Sequence, residues 1–226
     1  MQVQNEYYQW SVHKQRNFQI KLISIFLLCI LLIGLILYFL YRPLILLLPL
    51  LLTVAISVLA PFVDVPAMVK KGRLKYYSLF FLAEQEHKGI IKVHGGTLFD
   101  YYFVLDEKMS QRQRLRLILL EYLKGLHQLA QEENEELIVE GSSYIINERT
   151  ANKLGFKRAP LDGLQMIVMA FNYINLILAV SMAKKALQFP KLNRMNTFRG
   201  RLKDIKEKSQ YVKQLIVKLE GEAMLY

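Results

Sequence analysis

Arg112, Arg114 and Arg116 stand at alternate positions in "SQRQRLRLILLEYL", where a helix begins. Ser110 and Gln113 make a capping box there, the hydroxyl taking the N3 amide and the glutamine reaching back. Leu115, Ile118, Leu119, Tyr122, Leu126 and Leu129 then recur at helical spacing through about twenty residues. A helix start carries roughly half a positive charge, so cations there are mildly unfavourable. Arg112 and Arg116 are, in addition, like charges one turn apart. Asp106, Glu107 and solvent would screen them in an ordinary helix start. The chemical alternative is an anion held between the arginines and the free amides: a lipid phosphate, a cofactor pyrophosphate or an acidic partner.

Other reactive residue types lead to less. His94 beside Gly95-Gly96 could form an oxyanion loop, but the chain has no G-x-S-x-G nucleophile elbow, so a turn is expected. The acidic run "EENEE", 132 to 136, lacks the Asp/Asn/Gly spacing of a calcium loop and reads as a solvated loop. Cys29, the single cysteine, lies in an apolar run and reads as a small hydrophobe. No metal and no catalytic group is expected from these residues.

The elements that must position the arginines follow from pattern. Ile90, Ile91 and Val93 predict a short strand, His94-Gly95-Gly96 a turn, and Leu98 to Leu105 a second strand rich in aromatic and β-branched residues. After the long helix, Leu137 to Ile146 predicts another strand, interrupted by Gly141-Ser142-Ser143. Glu148 to Leu154 predicts a short helix with Gly155 at its C-terminal cap.

This order of elements over residues 98–158 resembles the core of the GNAT acetyltransferase superfamily. The stretches that carry it are "SQRQRLRLILLEYL", "ELIVEGSSYIIN" and "ERTANKLGF". The resemblance implies a degenerate GNAT-like fold that binds acetyl-CoA. Gln111 to Arg116 would be the pyrophosphate loop and Asn147 the pantetheine contact. In the family pattern Gln/Arg-x-x-Gly-x-Gly/Ala the glycine places are taken here by Arg114 and Arg116. The family's tyrosine, four residues before the Gly-Phe pair, is Ala151. Asp100 and Glu140 are the carboxylates from which a base would be drawn.

The chain has 226 residues, 53% of them apolar and 22% charged, a mixture expected of a very apolar segment joined to a conventional domain. Between Lys21 and Arg42 runs the uncharged "LISIFLLCILLIGLILYFLY", and from Pro43 to Val63 no charge occurs before Asp64. A helix of about twenty residues spans about 30 Å, the thickness of a hydrocarbon core. The pair predicts a retained transmembrane hairpin over 22–63 rather than a signal peptide. Lys14, Arg16 and Lys21 precede it and Lys70, Lys71, Arg73 and Lys75 follow it, while the turn carries Arg42 alone. Excess positive charge stays on the cytoplasmic side, so both termini are expected in the cytoplasm and the protein in the inner membrane.

The net charge of +11 is concentrated near the C-terminus, where residues 184–218 hold eleven Lys and Arg against Asp204 and Glu207. Ahead of them, residues 164–183 are uncharged and predict a helix buried in the domain or lying on the membrane. A third span would expose Asn172 and Asn175 to lipid and send the basic tail outside. Phe198, Leu202, Ile205, Val212, Leu215, Ile216 and Leu219 then mark one face of a basic amphipathic helix. Arg199, Arg201, Lys203, Lys206, Lys208 and Lys213 are its candidate contacts to anionic lipid headgroups or an acidic protein partner. Nucleic acid is not expected, for want of stacking aromatics.

The fold class expected is thus a two-helix transmembrane hairpin followed by a cytoplasmic α+β domain and a C-terminal basic amphipathic helix. Its segments are 1–21, a cytoplasmic lead; 22–63, the hairpin; 64–163, the domain; and 164–226, an apolar then a basic helix. The function expected is that of a non-catalytic membrane scaffold, assembly subunit or regulator, as a homo- or hetero-oligomer. A membrane-anchored CoA-dependent N-acyltransferase, with acetyl-CoA as its cofactor, is the alternative. An immunity-type membrane protein is a third class compatible with the same features.

Overall fold

Two long apolar helices lead into a mixed α+β domain. The computed structural model describes residues 5–143, 146, 148–160, 163–191 and 196–223. Helix α1 (Val12–Leu40) starts at Ser11, whose hydroxyl accepts the Lys14 amide, and helix α2 (Leu48–Lys70) follows one short 3-10 turn that opens on Arg42-Pro43. Both are long and apolar enough to cross a membrane. Their apolar side chains are left uncovered: Leu31 is 66% exposed, Phe39 77% and Leu50 62%. A core helix of a soluble protein would hide those groups.

The domain is built on a six-stranded sheet in the order β1-β2-β3-β4-β6-β5. Its strands are β1 (Leu74–Ser78), β2 (Phe81–Glu84), β3 (Ile90–Gly95), β4 (Ile138–Ser143), β5 (Lys157–Ala159) and β6 (Asn196–Arg201). Neighbours pair antiparallel except β3 and β4, which are parallel. A parallel pair needs a crossover. Here it is α3 (Leu98–Val104) and α4 (Gln111–Glu132). Helix α5 (Glu148–Lys153) joins β4 to β5. The kinked pair α6 (Gly163–Phe171) and α7 (Tyr173–Lys184) leads towards β6, and α8 (Leu202–Glu207) and α9 (Ser209–Ala223) close the chain.

Three sequence expectations are corrected. Leu98 to Leu105 is not a strand but helix α3, because Thr97 and Asp100 form a capping box and Leu98, Phe99 and Tyr101 are buried. The hairpin partner of β3 is instead β2, which with β1 lies in a stretch where the sequence reading placed no strand. The basic C-terminal segment is not one helix. It opens as β6, so Arg199 and Arg201 lie on a strand, between β4 and β5. The capping box at Ser110 and Gln113 and the cap at Gly155, φ +90°, stand as read.

One side of the sheet packs against α4, α5, α8 and α9 around Phe81, Ile91, Leu126, Leu129, Val139, Phe198 and Ile205. The tail is therefore part of the domain core, and residues on both sides of position 163 build it. A second cluster gathers Tyr7, Phe62, Val65, Tyr76, Leu82 and Phe99, so the N-terminal segment and the domain-side end of α2 cover β1 and β2. Gln19 Nε2 donates to the Phe62 carbonyl at 3.0 Å, holding α1 against α2 there.

Candidate functional site

Strands β3 and β4 run side by side from Ile90↔Ile138 to Val93↔Gly141 and then part. Beyond that point His94 and Gly95 pair with Leu82 and Phe81 of β2, while Ser142 and Ser143 pair with Thr197 and Asn196 of β6. The neighbours thus pull the two strands apart at their carboxyl ends, the place where ligands settle in sheets with parallel strands. A cleft of about 650 Å³ opens in the gap, within the range of small-molecule and cofactor sites.

Its walls are apolar. Helix α4 contributes Leu115, Ile118, Leu119 and Tyr122, helix α5 Ala151 and Leu154, and helix α9 Tyr211, Leu215 and Leu219. Polar groups stand at the edges: His94, Ser142, Ser143, Thr150 and Lys218. A Cβ at Gly95 would lie 1.5 Å from the Tyr122 hydroxyl oxygen, so a side chain there would displace the Tyr122 ring. His94 Nε2 lies 2.7 Å from Glu84 Oε1, and the hydrogen bond from His94 holds the Glu84 carboxyl below its ordinary range. On α4 the lining begins at Leu115, one turn beyond Gln111, so the cleft stops one turn short of the helix start.

The arginines of that turn are not equivalent. Arg114 is buried, with Nη1 donating to the Met182 carbonyl at the end of α7 and Nη2 to the Asp106 carbonyl at 2.8 Å. It ties α4 to α7 and to the loop before it, and does not point at an anion. Gln111 and Arg112 are exposed and Arg116 half-buried. Asn147, the fifth residue expected at an anion or cofactor site, lies outside the described residues.

The two candidate bases are committed elsewhere. Asp100 is fully buried and accepts the Tyr76 hydroxyl, the Thr97 amide at 2.7 Å, the Thr97 hydroxyl at 2.8 Å and Asn5 Nδ2 at 3.4 Å. Burial lifts its carboxyl to about 6, with those donors pulling it back. Glu140 is buried beneath Arg199, whose Nε donates to it at 2.8 Å across the β4–β6 ladder.

The tail cations divide in the same way. Arg199 pairs with Glu140, Arg201 with Asp204 at 3.5 Å and Lys206 with Glu135, while Lys203, Lys208 and Lys213 are exposed. The acidic run is a set of tethers: Glu132 meets Lys75 at 2.8 Å and Glu133 accepts the Tyr77 hydroxyl. Among the described residues no cluster of three or more His, Cys, Asp or Glu side chains could hold a metal ion.

Sequence reasoning missed the cleft itself. Its signals were present in Gly141-Ser142-Ser143 and His94-Gly95, read only as strand interruption and turn. No protein-family model matches the chain, and neither curated proteins nor solved structures give a significant match.

Proposed function

We propose that this chain is an inner-membrane protein whose cytoplasmic domain binds an acyl thioester of the coenzyme A type. The parting of β3 and β4 over an apolar cleft that ends one turn from the start of α4 carries this reading. An acyl-pantetheine arm is long, thin and mostly apolar, with two amides along it. Strand edges that have left their partners offer such amides backbone groups, as an added strand would take them. Phosphates at the far end of the arm would meet the free amides of α4 beside Gln111 and Arg112, where a helix start favours anions. Degenerate GNAT-like architecture is proposed on the same grounds, helped by the crossover order β3, α3, α4, β4.

The proposal concerns binding. Transfer to an amine would need a base, and Asp100 and Glu140 are both tied to other groups. The hairpin, with both termini cytoplasmic, would hold the cleft beside the bilayer, and Lys203, Lys208 and Lys213 would meet anionic headgroups.

Calorimetry on the full chain in detergent, with coenzyme A, acetyl-CoA and a long-chain acyl-CoA, tests the proposal. Saturable binding is expected, strongest for an acylated form, and lost in Leu119→Arg, which puts a cation into the cleft at a position already 44% exposed. No binding by any of the three rejects it.

A second reading, a scaffold, assembly subunit or regulator acting on a protein partner, is favoured by the use of Arg114 as an internal tie. It expects no coenzyme A binding, and a stoichiometric membrane complex in native lipid particles.

A further inference from the structure

Helix α6 is apolar yet uncovered. Met166 is 57% exposed, Ile167 56%, Val168 51% and Phe171 64%. At its end the chain kinks at Asn172 without losing the helical ladder, since Asn172 N–H donates to the Val168 carbonyl and Leu176 N–H to the Asn172 carbonyl, both at 3.0 Å. Helix α7 then descends into the domain, where Ala179 and Ala183 are buried with Phe80, Tyr101 and Ile118. One end of this kinked element is in the core, and the other is bare.

The bare end is fastened to α2. Ser57 Oγ donates to the Phe171 carbonyl at 3.0 Å, and Asn175 Nδ2 donates to the Ser57 carbonyl at 2.9 Å. Ser57 precedes Asp64, the first charge after the apolar run, by seven residues, which is about 10 Å along a helix. The joint therefore sits within the apolar run of α2. The side-chain amide donors at that depth are taken up, Asn172 Nδ2 by the Val168 carbonyl at 3.0 Å and Asn175 Nδ2 by Ser57, while Asn175 Oδ1 is buried without a partner among the described residues. Around the joint, α2 is itself apolar and exposed at Leu52 (41%) and Ile56 (57%), so the α6 surface continues a surface already assigned to lipid.

We infer that α6 is a third membrane element, one that enters the bilayer beside α2 without crossing it and sets Met166, Ile167, Val168 and Phe171 against lipid acyl chains. At nine residues it is about 13 Å long, well short of a hydrocarbon core. The inference rests on the proposed membrane anchoring of α1 and α2. It adds that the domain is fixed to the bilayer through a contact within it, in addition to the hairpin.

The test uses the full chain with Cys29→Ala and single cysteines at Ile167, Phe171, Leu32 or Lys92, each labelled with an environment-sensitive fluorophore. The variants are reconstituted into phosphatidylcholine vesicles, with and without lipid spin-labelled on the acyl chain. Labels at 167 and 171 are expected to lose fluorescence as the label at 32 in α1 does, while the label at 92 on β3 keeps it. Quenching at 32 with none at 167 or 171 overturns the α6 inference and leaves the hairpin in place; blue-shifted emission there would then point to a protein neighbour. Absence of quenching at 32 overturns the membrane anchoring, and the inference with it.

Discussion

Arg114 illustrates what residue types alone leave open. Three arginines at one helix start suggest an anion, and the spacing was visible. Which of them faces inward depends on helical phase: Arg114 lies one turn before buried Ile118 and shares its side of α4. Its buried guanidinium donates to two carbonyls, of Met182 and Asp106, in a part-buried setting. Arg114→Ala should therefore destabilise the fold by about 1.5–3 kcal/mol, since it removes a charged donor from two carbonyls. Arg112→Ala, at an exposed site, should stay within about 0.5 kcal/mol. Chemical denaturation of both variants checks this, and equal effects would contradict the internal role of Arg114.

Asp100 has a pH signature of its own. Its carboxyl titrates near 6 when folded against 3.8 ordinarily. Between those values the folded state binds more protons than the unfolded one, so stability falls as pH rises. The contribution is complete below about pH 4 and gone above about pH 6, on the order of 3 kcal/mol in all. Thermal midpoints of the full chain across that window should fall with pH, and Asp100→Asn should flatten the trend. An unchanged trend in the variant would assign the titration to another group. Nothing in the sequence marked Asp100 as buried, because the segment that buries it, with Asn5 and Tyr76, is remote along the chain.

At the scale of elements, local rules worked where the controlling contacts are local. The caps at Ser110 and Gly155, the strand at Ile138 and helix α4 follow from neighbouring residues. Leu98 to Val104 failed because β-branched and aromatic content says that a segment will be buried, not in which conformation. Thr97 and Asp100, three residues apart, were the missed sign of a helix start. Residues 196–201 failed for a different reason: alternating Phe198, Arg199, Gly200, Arg201 is a strand pattern, hidden by the helical period that follows it. Gly155 connects these elements, for a Cβ there would lie 2.9 Å from the Asp204 carbonyl oxygen of α8. Its φ of +90° adds about 1–2 kcal/mol of strain for any other residue. Gly155→Ala should therefore lose at least that much stability in urea unfolding, whereas Gly163→Ala, with open space around it, should not.

For the whole molecule, two apolar helices ahead of an α+β domain were legible from charge spacing alone. The sheet order was not, since it depends on β6 inserting between β4 and β5 from a distant part of the chain. The cleft is a property of that order: β2 draws β3 one way and β6 draws β4 the other. No single segment encodes it.

The most direct measurement is photolabelling of the full chain in detergent with an acyl-CoA carrying a diazirine in its acyl chain, followed by peptide mapping. Labelling on residues 93–95, 115–122 or 141–143, competed by unlabelled acyl-CoA and absent in Leu119→Arg, is the predicted result. Labelling confined to α1 and α2, or unaffected by competitor, would contradict a binding cleft between β3 and β4.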